Sequence, residues 1–289
     1  MYSAPFEYQR ASSWQEAVAQ LERGGEDGHV LAGGQSLVPM MMLGLAAPTL
    51  LVDVGEAGER TIEARDGSLV LSALVRHVDV ERSEVVRGAC PMLTEAVAHI
   101  GNVRVRHRGT IGGSLAHAEA TAELAAVAVA QKATVRVLGP RGERTVPAAD
   151  LFVTHLTTSL EPAEVITAVE FPAVSGPRTG SCFLEMTRRA GDFAMAEVAA
   201  TVSLDEAGRC DEVRLVVGAV ADRPADASDS AQALIGAAPE QPALAELARV
   251  VADQVEIGPS SHASVEYRRE MVAVLVERAV ETAAVRAVP

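Results

Sequence analysis

Two short stretches carry the residue types that bind anions through the backbone: Ala32-Gly33-Gly34-Gln35-Ser36-Leu37 and Thr110-Ile111-Gly112-Gly113-Ser114-Leu115. Two adjacent residues without side chains leave consecutive N–H groups accessible, and a small hydroxyl residue nearby adds a further donor. Each stretch follows an apolar run that reads as a strand, so each is expected at a strand-to-turn junction. The expected chemistry is a pyrophosphate held between the two. Neither the Gly-x-Gly-x-x-Gly dinucleotide fingerprint nor the Gly-x-x-x-x-Gly-Lys phosphate loop occurs in the chain.

The elements that position these stretches can be read in order. Residues 12–23 have hydroxyl caps and helical spacing of Trp14, Ala17, Val18 and Leu21, ended by Gly24-Gly25. Residues 29–32 form the strand that delivers the first glycine pair, 37–43 a short apolar helix, and 50–54 a strand. Met40 to Met42 read as core filling rather than as soft ligands. Asp66-Gly67 between alternating apolar runs signals a hairpin. Residues 89–100 read as a helix stopped by Gly101. In 103–109 valine and arginine alternate, which in an extended chain places Arg104, Arg106 and Arg108 on one side. That face is either a cradle for a dianionic ligand or a solvated edge strand kept apart by charge.

Beyond the second glycine pair, 120–131 reads as a buried helix. Glu119 and Glu123 near its start either favour the helix dipole or accept hydrogen bonds from a nucleotide. Strands are expected at 134–138 and 143–146 as a hairpin, and at 165–171. Residues 173–181, rich in Gly, Pro and Ser, form the best linker. After it come strands at 182–187, 195–204 and 213–219, then helices at 228–235, 242–255 and 263–287, which is the pattern of a separate α+β domain.

The 289 residues are 48% hydrophobic and 22% charged, an ordinary globular composition with room for more than one core. A net charge of −14 argues against a general nucleic-acid partner and for small molecules or proteins. No apolar run is long enough to span a bilayer, and the polar start does not read as a signal peptide, so a cytoplasmic protein is expected. The three cysteines are far apart, which suggests neither disulfides nor an iron–sulfur or zinc site. Any electron carrier here is organic.

The segments Ala32 to Pro39 and Arg106 to Glu119, with Arg188-Arg189-Ala190-Gly191-Asp192-Phe193-Ala194 and Glu266-Tyr267-Arg268-Arg269, closely resemble the FAD-binding medium subunit of molybdenum hydroxylases, which include aerobic carbon monoxide dehydrogenase and xanthine dehydrogenase. The resemblance spans essentially the whole chain. It implies an α+β fold: a two-lobed FAD-binding domain of the vanillyl-alcohol-oxidase/PCMH type, with lobes at 1–55 and 56–172, a linker at 173–181, and a C-terminal domain at 182–289 made of a three-stranded antiparallel sheet with three helices. It assigns FAD contact to Ala32, Gly33, Gly34, Gln35, Ser36 and Leu37 on one side. On the other it assigns Arg108, Thr110, Ile111, Gly112, Gly113, Ser114, His117 and Glu119, with Arg188, Asp192 and Phe193 near the flavin. No residue is assigned to catalysis or to metal. The family commonly has Asn at the place of His107 and Asp-Pro at Glu119-Ala120, and His107 and His117 are expected to hydrogen-bond near the nucleotide.

The implied activity is electron relay. A small subunit with two [2Fe–2S] clusters would pass electrons to FAD in this chain. A large molybdenum-cofactor subunit would oxidise carbon monoxide or hydroxylate an N-heterocyclic or aromatic substrate, in a dimer of heterotrimers that delivers to a terminal acceptor. The alternatives are a flavin-free interaction subunit and a stand-alone flavin oxidase.

Overall fold

The computed structural model describes residues 4–173 and 176–288. Its first sheet is parallel, with β1 (Glu7–Arg10), β2 (Gly28–Leu31) and β3 (Leu50–Asp53) in the order β1-β3-β2. Parallel neighbours need crossovers, and these are α1 (Trp14–Gly24) and α2 (Leu37–Leu43). Ser13 caps α1 by accepting from the Glu16 N–H at 3.1 Å, while Glu16 accepts from the Ser12 N–H at 2.8 Å. Ala17, Val18 and Leu21 of α1 pack with Val52 and Val54.

The hairpin β4 (Ile62–Arg65) and β5 (Ser68–Ser72) begins an antiparallel sheet, followed by α3 (His77–Arg82), α4 (Glu84–Ala89), α5 (Pro91–His99), α6 (Val103–Arg108), α7 (Ile111–His117) and α8 (Glu123–Ala130). Then come β6 (Thr134–Gly139), β7 (Gly142–Pro147), α9 (Ala148–Leu151), the small ribbon β8 (Phe152–Thr154) with β9 (Thr157–Thr158), and β10 (Val165–Pro172). The sheet order is β4-β5-β10-β6-β7. Helix α8 is apolar all round and buried throughout except at Glu123, its first residue.

Residues 103–108, expected as an extended basic face, are helical. Asn102 Oδ1 accepts from the N–H groups of Arg104 at 2.9 Å and Val105 at 3.3 Å, and this cap outweighs the alternating pattern. The three arginines therefore do not share a side: Arg106 turns in to Glu81 at 2.9 Å, whereas Arg104 and Arg108 are exposed.

The last sheet is an antiparallel meander of β11 (Thr179–Met186), β12 (Ala196–Leu204), β13 (Cys210–Gly218) and the two-residue β14 (Ala225–Asp226). It thus has four strands where three were expected, the fourth too short to show an alternation. Of the expected linker, Thr179, Gly180 and Ser181 are strand, and Val174 and Ser175 lie outside the described residues. Helices α10 (Ser228–Ala231), α11 (Ala243–Gln254) and α12 (Val265–Arg286) follow. A Cβ on Gly180 would stand 2.1 Å from the Ala283 carbonyl oxygen, so α12 rests directly on β11. Helix α8 packs against β12 and β13, and α5 against β11, which joins this sheet to the preceding core through Phe183, Ala199 and Val216.

Candidate functional site

The two glycine pairs meet. A Cβ on Gly33 would lie 2.4 Å from the Arg108 carbonyl oxygen and 2.8 Å from Gly109 Cα, so the first junction rests on the backbone of the second. Gly34 has φ +70°, a conformation that costs other residues about 1–2 kcal/mol. Ser36 precedes α2 without capping it through its side chain. The N–H groups of Gly33, Gly34, Gln35 and Ser36 donate to no protein acceptor among the described residues.

The second junction differs. Thr110, only 2% exposed, caps α7 by accepting from the Gly113 N–H at 3.1 Å. Ile111 donates to Val75 O at 3.1 Å, Gly112 to Ala73 O at 3.0 Å, and Ser114 to Thr110 O at 3.0 Å. The expected nest of free N–H groups is absent there, because the chain itself uses them. Gly112 is glycine because a Cβ would come within 2.5 Å of Ala73 Cβ. Arg76 donates through its guanidinium to the Arg108 carbonyl, and His77 N–H bonds Gly109 O at 3.2 Å.

Between the junctions lies a cavity of about 700 Å³, within the range of cofactor sites. Ala32, Gly33, Gly34, Gln35, Ser36 and Leu37 line one side, and Thr110, Gly112, Gly113, Ser114, His117 and Glu119 the other. Arg188, Asp192 and Phe193 close the far end, with the Phe193 side chain 71% exposed. That end is set by Gly191 (φ +83°), on which a Cβ would stand 2.8 Å from the Gly101 carbonyl oxygen. Arg268 of the Glu-Tyr-Arg-Arg stretch is buried and donates to the carbonyls of Met195 at 2.9 Å, Gly258 at 2.8 Å and Ala219.

Two assigned residues are not in the cavity wall. Ile111 is fully buried in the core, and Arg108 projects from α6 so that its carbonyl, rather than its charge, serves the junction. Glu119 is occupied by its own turn, accepting from the N–H and hydroxyl of Thr121 at 3.3 and 3.2 Å, and lies 3.7 Å from His155 Nδ1. Burial lowers His117, opposed by Glu119 and aided by His155. His107 is exposed, and no group of three His, Cys, Asp or Glu side chains placed to hold a metal occurs among the described residues.

The wall also contains His77 and Asn102, which sequence reasoning missed, and Glu123, for which the sequence left helix-dipole and nucleotide roles open. Burial pushes the His77 imidazole down to about 4, so it is neutral. Burial likewise pushes Glu123 up to about 8, and Glu185 adds to the rise. The Asn102 cap was recognisable in principle as a capping residue after Gly101. His77 carries no motif of its own and reaches the wall through tertiary packing.

Residues 4–174 match the family described as FAD binding domain in molybdopterin dehydrogenase. The chain belongs to that family. Residues 181–283 match the CO dehydrogenase flavoprotein C-terminal domain. The 6-hydroxypseudooxynicotine dehydrogenase complex subunit alpha of Paenarthrobacter nicotinovorans is 36% identical, over 98% of this chain and 96% of that one. The carbon monoxide dehydrogenase medium chain of Hydrogenophaga pseudoflava is 33% identical over 96% of each. Among solved structures, carbon monoxide dehydrogenase from H. pseudoflava superposes with TM-score 0.95 at 33% identity, over 99% of each chain. Quinoline 2-oxidoreductase from Pseudomonas putida 86 gives 0.94 at 33% identity, over the whole of each. This molybdopterin dehydrogenase flavoprotein is therefore an oxidoreductase subunit of the medium-chain type, and its cofactor is FAD. Among the described residues no helix is long and apolar enough to cross a membrane.

Proposed function

We propose that this chain is the electron-relay subunit of a heteromeric molybdenum hydroxylase. In this reading it takes electrons from the [2Fe–2S] clusters of a small subunit and passes them to a terminal acceptor, while a large molybdenum-cofactor subunit carries out the substrate chemistry. The assembly is a dimer of heterotrimers. The substrate is carbon monoxide or an N-heterocyclic or aromatic compound, by analogy with the relatives' names. The two-lobed FAD-binding domain is of the vanillyl-alcohol-oxidase/PCMH type, with lobes at 1–55 and 56–172 and the cleft between them. Cys90, Cys182 and Cys210 are buried free thiols, a state that suits the cytoplasm.

The observation that carries this reading is the cleft itself, open at one junction and closed at the other. The unused N–H groups of Gly33, Gly34, Gln35 and Ser36 fit a pyrophosphate, and Ser114 adds a hydroxyl from the opposite wall. Phe193, an exposed aromatic at the far end, fits the isoalloxazine face. FAD, when bound, supplies a centre that accepts single electrons and releases a pair. The chain's own residues orient it: Gly34 turns the first junction toward the cavity, the Thr110 cap fixes the second, and the Gly191–Gly101 contact sets the rim.

The test is to purify the chain with and without its partner subunits and measure bound flavin and cluster-to-flavin electron transfer. Stoichiometric FAD, and flavin reduction by the reduced small subunit in the absence of any organic substrate, are expected. A colourless chain that takes up no FAD, or flavin that the small subunit does not reduce, overturns the proposal.

A further inference from the structure

Behind the wall that carries Glu123, strands β11 and β12 set two carboxylates face to face. Glu185 and Glu197 are direct partners in the antiparallel register, an arrangement in which like charges repel. Glu197 is completely buried. Neither of its oxygens has a hydrogen-bond partner among the described residues, and the same is true of Glu185 Oε2. The neighbouring strand makes room for this group: Gly218 on β13 pairs with Glu197, and a Cβ there would come within 2.1 Å of Glu197 Oε1. A missing side chain thus builds a chamber for a carboxyl where an apolar filling would be the more stable choice.

The chamber has two exits. His99, at the end of α5, has Nδ1 3.1 Å from Glu185 Oε1, and its side chain is 46% exposed while that of Glu185 is 3% exposed. On the other side, α8 packs on β12 and β13, and its first residue, Glu123, lines the cleft and bears electrostatically on both Glu185 and Glu197. Glu95 of α5 also acts on His99, but its oxygens are engaged by the Phe183 N–H at 2.9 Å and by Arg286 at 2.6 Å. The charges that bear on Glu197 are thus those of Glu123 and Glu185, with no cation among them. Burial first, then these two neighbours, pushes Glu197 well above the usual carboxylate range. The hydrogen bond to Glu185 raises His99.

We propose that Glu197, Glu185 and His99 form an internal proton store that serves the cleft through Glu123. The inference rests on the reading of the cleft as the FAD site. Two-electron reduction of a flavin, here by an external one-electron donor, requires protons as well as electrons. The O–H bond of Glu123 breaks as an N–H bond forms on the ligand. Glu123 regains a proton from the Glu185–Glu197 pair, and the pair regains one from solvent through His99.

The experiment uses the FAD-loaded complex with dithionite as donor. Infrared difference spectra follow the C=O stretch of protonated carboxyls during reduction, with FAD content and flavin absorbance read on the same samples. In the wild type a protonated-carboxyl band is expected to change on reduction. Glu197→Gln, which is isosteric, is expected to abolish that change, retain FAD, and slow flavin reduction at least about a hundredfold, the lower end of what a positioned proton donor contributes. Glu185→Gln is expected to shift the band. A FAD-loaded wild type with no reduction-dependent carboxyl band overturns the proposal by itself, whether or not the variant folds. So does a Glu197→Gln complex with the wild-type band and rate. A wild type without FAD overturns the reading of the cleft, and the store with it.

Discussion

The two glycine pairs are nearly the same in sequence and opposite in use. Around Gly33-Gly34 the backbone leaves its N–H groups unpaired among the described residues, whereas around Gly112-Gly113 every N–H from Ile111 to Ser114 is spent on Val75, Ala73 and Thr110. The first glycines shape a turn. The second let a helix sit against a strand end with no side chain between. Similar words in a sequence thus encode a binding edge in one place and a packing contact in the other, and the difference lies in what each loop rests on.

Substitutions can break this contrast, and the largest effect is expected at the packing contact. Gly112→Val drives a side chain into Ala73, already 2.5 Å from a bare Cβ, and should lower stability by about 3 kcal/mol or more as an overpacked core. Thermal denaturation of the apoprotein reads this directly. An unchanged melting temperature with lost flavin would return Gly112 to a ligand-binding role. Gly33→Ala meets the Arg108 carbonyl at 2.4 Å and should cost about 1–3 kcal/mol, while also prising the junctions apart, so that flavin affinity falls together with stability.

Gly34→Ala opposes a φ of +70°, with the flexible Leu31 and Val38 side chains 3.2 and 3.3 Å from the new Cβ, and should cost about 1–2 kcal/mol. Here calorimetric FAD binding should weaken by more than the melting temperature implies, because the turned N–H groups face the ligand. Thr110→Ala removes the α7 cap and should cost about 1 kcal/mol with FAD stoichiometry retained. Loss of flavin without loss of stability would show that the second junction binds after all.

An effect of another kind depends on pH. The folded-state carboxyl of Glu123 is raised, chiefly by burial, from 4.5 to about 8, so it favours the fold fully below 4.5 and loses that contribution as pH rises through about 8. Glu123→Gln should therefore raise the apoprotein melting temperature relative to wild type more at pH 8 than at pH 5. An equal difference at both would mean that Glu123 ionises freely.

Much of this was legible in the chain. The α1 cap, the Asp66-Gly67 hairpin, the β2 strand before Gly33 and the strand meander before the last helices rest on local signals, and the structure keeps them. The alternating Val103-Arg104-Val105-Arg106 misled because one capping residue, Asn102, outweighs a short two-residue period. Arg108 left the site as part of helix α6, exposed at its end, and Ile111 left it because the helix capped by Thr110 turns it into the core. His77 and the Glu185–Glu197 pair came together only through tertiary contacts between segments distant in sequence, and no local pattern encodes such encounters.

The satisfied ladder at the second junction also bears on the order of events in the cell. Since Thr110 and its neighbours need nothing from outside the chain, folding and cofactor loading are separable in time. A newly made chain can complete this side of its cleft before any dinucleotide arrives. A shortage of vitamin would then leave a reservoir of competent apoprotein rather than a stream of misfolded chains.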